Sequence, residues 1–332
     1  MNLLRRILLP LALLYGLGAL LRRRIFEWAG KRQTAPIFSI AIGNLTVGGT
    51  GKTPMAIFLA SRLPGNKALL SRGYGRKTTG FIELNNEISA SHGGDEPLEM
   101  KRALPDTPVA VCENRLDGIK ALLQRYSNLQ TIILDDAFQH LPLRANKYVL
   151  LCDFNRPFFT DFPMPAGNLR EFRCEAKNAD AIVVTKCPPN MNHEEAGVIR
   201  SRLKKYGCPV FFAHYAMSEP RNEAGAVLPA NSICIAVSAL ANNAGFIEEL
   251  QSQLKVAKHF SYPDHHAFTQ TEIDDWQKAL EESHIEAIVT TRKDFMRMNG
   301  LPETMKTKVF VVNTEPKFLF QEEYDFIRVL NC

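Results

Sequence analysis

At 332 residues the chain is longer than one ordinary core requires, which predicts about two domains plus an appendage. A hydrophobic fraction of 45% beside 23% charged residues belongs to a globular α/β chain and excludes disorder, collagen-like repeats and a polytopic membrane protein. The net charge of +5 is modest and gathers at the N-terminus in Arg5, Arg6, Arg22, Arg23, Arg24, Lys31 and Arg32, which indicates an anionic surface met by one end of the molecule and speaks against nucleic acid as a partner.

In chain order the first element is the apolar run Ile7–Leu21, broken by Pro10, Tyr15, Gly16 and Gly18 and fenced by arginines on both sides. A cleaved signal carries its basic residues only before the run, whereas Arg22-Arg23-Arg24 follows directly. A spanning helix needs about 20 apolar residues, and this run is shorter. Residues 1–30 are therefore expected to form a helix lying in or dipping into the cytoplasmic leaflet, leucines in the acyl layer and arginines on lipid phosphates. A short single span and a helix docked on the protein's own core are the alternatives.

From residue 31 to 216 the pattern alternates short apolar strands with helices, as in a parallel sheet with crossover helices. Strands are predicted at Pro36–Gly43, Lys67–Ser71, Val109–Cys112, Thr131–Leu134, Tyr148–Cys152, Ala181–Thr185 and Val210–Ala213, with a helix over Pro54–Arg62. A polar, Gly- and Pro-containing connection, Met217–Ala230, leads to a smaller α/β domain at 217–332 with strands at Ile233–Val237, Ala287–Thr290 and Val309–Val312. The seven cysteines form no C-x-x-C pair, so neither a zinc site nor a disulfide framework is indicated, and no obligate protein partner is evident.

The strongest chemical signal is Gly48-Gly49-Thr50-Gly51-Lys52-Thr53 between the first core strand and its helix. Glycines let consecutive backbone N–H groups converge on phosphate oxygens at a positive helix end. Lys52 would reach the β and γ phosphates and Thr53 would place its hydroxyl on Mg²⁺, which together indicate a nucleoside triphosphate as ligand. The strict motif has Gly where Thr46 stands, so the approach to the loop departs from the common pattern.

Thr131-Ile132-Ile133-Leu134-Asp135-Asp136 is an apolar strand ending in two carboxylates, a Walker B pattern that supplies metal-organising acids. Ala137-Phe138-Gln139-His140 adds a polar pair beside it. The turn His92-Gly93-Gly94-Asp95-Glu96-Pro97 precedes a helix that Pro97 would open; Asp95 there is either a helix N-cap or a base for an attacking hydroxyl.

Gly48–Pro54, Ser71-Arg72-Gly73-Tyr74-Gly75, Gly94-Asp95-Glu96-Pro97, Asp135–His140 and Asp264-His265-His266 occur in an order similar to that of the tetraacyldisaccharide 4′-kinases, the lipid A 4′-kinases of Gram-negative bacteria. The resemblance spans nearly the whole chain. It implies ATP-dependent phosphorylation of the 4′-hydroxyl of a tetraacylated glucosamine disaccharide 1-phosphate at the cytoplasmic face of the inner membrane. It implies a base at Asp95 paired with His265, metal-side acids at Asp135, Asp136 and Glu96, and triphosphate and Mg²⁺ contacts at Lys52 and Thr53. It marks Arg170 as a candidate phosphate contact and leaves open which of His265 and His266 faces the site. Thr291-Arg292-Lys293-Asp294 sits where the family has a Lys-Asp pair, open to nucleotide contact or a structural ion pair. A P-loop ATPase or GTPase switch, activating water in place of a sugar hydroxyl, is the competing class.

Overall fold

The structure is a computed structural model that describes residues 7–85, 87–240, 243–264, 266–281, 284–298 and 300–331. The chain divides into two compact units. The first runs up to Tyr215 and resumes at Pro316; the second is Ala216–Glu315. The domain reading from sequence assigned 217–332 to the smaller domain, and its last stretch is corrected: the C-terminal segment returns to the first unit.

A nine-stranded sheet forms the first unit's frame. Its order is Thr314–Phe318, Val210–Met217, Ala181–Thr185, Lys147–Asp153, Phe38–Asn44, Thr131–Leu134, Lys67–Ser71, Val109–Val111 and Ile82–Glu83. From Val210–Met217 to Val109–Val111 every pairing is parallel, and Ile82–Glu83 is added antiparallel at one rim. Strands covered by helices on both faces are apolar throughout, which is why Ile40, Ile133, Leu150 and Ile182 are all wholly buried. Because the central strands run the same way, their carboxyl ends share one edge, and the loops there form the crevice where open α/β sheets bind ligands.

The helix Leu9–Trp28 lies on the first unit through small residues. Ala12, Gly16 and Arg23 are its buried positions, spaced to share one face. A Cβ at Gly16 would come 2.5 Å from Phe172 Cζ, so only glycine admits the helix this close. Leu11, Leu14, Leu17, Leu21, Ile25 and Trp28 point outward and are exposed. The expectation that all the arginines serve lipid phosphates is corrected for Arg23. It turns inward to ion-pair with Glu171 at 3.2 Å and Glu175 at 2.5 Å, while Arg22 and Arg24 remain exposed. Among the described residues no helix is long and apolar enough to cross a membrane.

The second unit has a four-stranded parallel sheet ordered Lys255–Ser261, Ile233–Ser238, Ala287–Thr291, Val309–Val312. Trp276 and Ile273 pack on one of its faces, Phe246 and Leu250 on the other.

Candidate active site

The glycine loop leaves the carboxyl end of Phe38–Asn44 and ends at the helix Lys52–Arg62, capped by Gly51 with φ 86°. That left-handed cap favours glycine, and any Cβ there would collide with the Tyr215 hydroxyl. Thr46 is explained by its pairing: it is buried and forms an antiparallel bridge with Leu169, flanked by Val47 N to Asn168 O at 2.8 Å and Arg170 N to Leu45 O at 2.8 Å. An extended residue with a side chain suits a bridge better than glycine does. The same bridge brings Arg170 to the site.

Lys52 opens the helix, its Nζ 3.4 Å from Asn44 Oδ1 and 3.6 Å from Asp136 Oδ1. Asp136, held at φ 46°, reaches Arg170 with its other oxygen at 3.6 Å and so lies between two cations. Asp135 points the opposite way, into the protein. It is 1% exposed, and its Oδ2 accepts from Ser71 Oγ at 3.1 Å. Burial, reinforced by Glu96 and Asp136, pushes its carboxyl up to about 7 against the pull of Lys52. Asp135 Oδ1 and Thr50 Oγ1 are buried without a hydrogen-bond partner among the described residues. Thr53 lies buried in the first turn of the helix.

Asp95 begins the helix Asp95–Ala103; the cap position belongs to Gly94. The N-cap alternative for Asp95 is therefore set aside, and Pro97 falls at the third helical position instead of the first. Lys77 N to Ser91 O at 2.7 Å and Thr78 Oγ1 to His92 O at 2.6 Å tie this turn to the loop that follows Ser71. Glu96 is exposed at the helix start, close enough to Asp135 to act on its charge. His265 lies outside the described residues. In the second unit His266 bonds Glu272 at 3.0 Å, and Lys293 pairs with Asp264 at 2.8 Å.

Arg115 and Lys186, which the motifs did not mark, and His140, marked there only as half of a polar pair, also stand here. Arg115, 1% exposed, donates to Cys112 O at 2.9 Å and Asp135 O at 3.3 Å, and so fixes the strand end from behind. His140 has a buried Nε2 without a hydrogen-bond partner among the described residues. Burial, then Arg115 and Arg72, push its pKa down to about 4, so it is neutral at pH 7. Lys186, with φ 58°, bridges Asp153 Oδ2 at 2.7 Å and Gly49 O at 2.6 Å. Their shared signal is position, because each follows the carboxyl end of a parallel strand or caps it.

A strand-loop-helix cradle with its lysine, set beside a buried acid at the end of a neighbouring strand, is how P-loop phosphotransferases are built, and this chain is of that class. A sequence-family model described as tetraacyldisaccharide-1-P 4′-kinase matches residues 4–331. A tetraacyldisaccharide 4′-kinase of Flavobacterium psychrophilum is 39% identical, with 96% of each chain covered. One from Flavobacterium johnsoniae is 38% identical over 90% of this chain and 88% of its own. The crystal structure of LpxK from Aquifex aeolicus in complex with ATP is similar with a TM-score of 0.77 and 30% identity, covering 99% of this chain and all of that one. The chain belongs to the tetraacyldisaccharide 4′-kinase family, and it is an ATP-using lipid disaccharide kinase of lipid A biosynthesis.

Proposed function

We propose that the γ-phosphoryl group of ATP, cradled on Gly48–Thr53, passes to the 4′-hydroxyl of a tetraacylated glucosamine disaccharide 1-phosphate held at the membrane side of the first unit. The observation that carries this reading is the placement of Lys52, Asp136 and Arg170 together at the mouth of the glycine loop. Lys52 stabilises charge on the transferring group, and Arg170 is set to meet a phosphate oxygen once Asp136 turns aside. Asp95, at a positive helix start, is assigned the proton of the attacking hydroxyl. The oxygen then bonds phosphorus as the bond to the ADP oxygen breaks.

Mg²⁺ fits the residues at hand. The buried, unpartnered oxygens Asp135 Oδ1 and Thr50 Oγ1 are hard donors, which suit a hard cation. Among the described residues no three His, Cys, Asp or Glu side chains form a metal cage by themselves. Asp135 and Thr53 would hold it, with Asp136 and Glu96 nearby. Bound there it would neutralise charge between the β and γ phosphates.

For the acceptor, a cavity of about 310 Å³ opens between the helix Leu9–Trp28 and the loop, lined among others by Tyr15, Ala19, Arg22, Val47, Gln139 and Arg170. It joins an apolar helix to the phosphate cradle, as a lipid with a reacting sugar requires. The outward leucines support residence on the cytoplasmic leaflet of the inner membrane, since each buried CH₂ of an acyl chain is worth about 0.8 kcal/mol. The helix then lies along the surface with its small face on protein and its large face in lipid. Incubation with γ-labelled ATP, Mg²⁺ and vesicles bearing the acceptor tests the reading. Label should enter lipid, and Asp95→Ala should lower turnover by roughly 10²–10⁴ with ATP affinity unchanged. Label appearing only as free phosphate, at a rate indifferent to lipid, would instead mark a nucleotide switch.

A further inference from the structure

Phosphate binding uses the N–H side of the glycine loop, and the carbonyl side is held just as specifically. Three consecutive carbonyls each accept a side-chain hydrogen bond: Gly49 O from Lys186 Nζ at 2.6 Å, Thr50 O from Thr185 Oγ1 at 3.0 Å, Gly51 O from the Tyr215 hydroxyl at 2.8 Å. Upstream, Asn44 Nδ2 reaches Thr46 O at 2.8 Å and Gly48 O at 3.4 Å. The donors at 185 and 215 lie on two neighbouring strands, Ala181–Thr185 and Val210–Met217, and Lys186 directly follows the first, all more than a hundred residues from the loop they grip. Lys186 is itself fixed by Asp153. Burial pushes the Tyr215 phenol upward in pKa, so it stays a donor at any working pH.

A peptide unit is planar and its N–H and C=O point opposite ways. The carbonyl of Gly49 shares a plane with the amide of Thr50, that of Thr50 with Gly51, and that of Gly51 with Lys52. We infer that Lys186, Thr185 and Tyr215 are positioning residues of the nucleotide site: by holding these three carbonyls outward they turn the amides of Thr50, Gly51 and Lys52 toward the triphosphate. Without them the loop's glycines would let each peptide rotate, and donors would have to be reoriented on every binding event. This inference rests on the reading of the loop as the ATP site.

The test compares full-length Tyr215→Phe, Thr185→Val and Lys186→Met with the unaltered enzyme in the vesicle kinase assay, measuring KM for ATP, KM for lipid, kcat and melting temperature. Each variant removes one donor at nearly constant volume. Loss of one preorganised amide should raise KM for ATP by roughly tenfold, with inhibition by ADP weakened in proportion and KM for lipid unmoved. A merely structural role would lower the melting temperature and leave KM for ATP in place. If Tyr215→Phe fails to fold, Thr185→Val gives the same reading from an independent strand. ATP KM within about twofold of the unaltered value in the folded variants overturns the inference while leaving the kinase reading intact. Absence of lipid labelling by the unaltered enzyme would sink that reading first.

Discussion

At the residue scale, the two acids at the end of Thr131–Leu134 look alike in sequence and do different things. Asp135 is buried against Ser71, whereas Asp136, one residue on, takes a left-handed turn and faces two cations. The motif located both carboxylates, but their directions come from the backbone turn and could not be read from residue type. The same holds for Thr46, a misfit to the motif until Leu169 is seen beside it. His140 offers a test by pH. Its folded pKa lies near 4, below the ordinary 6.5, so the unfolded chain binds the extra proton between those values. The stabilisation from neutral His140 is present above pH 6.5 and lost as pH falls toward 4; with the side chain partly exposed it amounts to on the order of 2 kcal/mol. Urea denaturation of the protein and of His140→Gln should show a gap in stability that narrows on going from pH 7 to pH 4.5. A gap that stays constant would mean that His140 does not titrate in this window.

At the element scale, strands buried on both faces were legible, and Lys67–Ser71, Thr131–Leu134, Ala181–Thr185 and Val309–Val312 stand where their apolar runs place them. Two of the strands that the apolar runs did not mark share a physical reason. Lys255–Ser261 is a sheet edge exposed at most positions, and Thr314–Phe318 carries Pro316, which only an edge tolerates. The helix Leu9–Trp28 was legible as an apolar, arginine-flanked element, but not its inward face, because alanine and glycine announce close packing only once the partner, Phe172, is in view. Its anchor is ionic. Arg23 is 5% exposed and its partners Glu171 and Glu175 are 13% and 10% exposed, so Arg23→Ala would leave two buried carboxylates without their cation. We expect a loss of about 3 kcal/mol and readier proteolytic release of the helix, which the rate of cleavage after Trp28 would report. Stability equal to that of the unaltered protein would show the helix to be held by packing alone.

At the scale of the whole molecule, alternating strands and helices gave away the parallel sheet and the position of the nucleotide loop, but not the path of the chain's end. Nothing in residues 316–331 marks them as part of the first unit except the partners they find there. Phe318 lies 5.4 Å from Phe58 and stacks on Phe326 at 4.8 Å, and Phe326 meets Phe211 at 5.3 Å. Glu323 pairs with Arg62 at 2.9 Å and Glu322 with Arg200 at 2.6 Å. Phe58 and Arg62 belong to the helix that begins at Lys52. A chain ending at residue 315 should therefore lose stability in the first unit and bind ATP more weakly, as thermal melts with and without nucleotide would reveal. An unchanged ATP-induced shift in the truncated protein would separate the tail from the site.

That return has a consequence for how the protein is made. The sheet strand Val210–Met217, which carries Tyr215, is flanked on its outer side by Thr314–Phe318. During synthesis the ribosome releases the first of these about a hundred residues before the second, at roughly 5–20 residues per second. For those seconds the nascent kinase displays an open, hydrogen-bonding rim beside its own nucleotide loop, with the apolar helix Leu9–Trp28 already outside the exit tunnel. On the proposed reading of that helix as a membrane contact, its early capture by a bilayer would hold the unfinished sheet at the surface until Thr314–Phe318 arrives to close it.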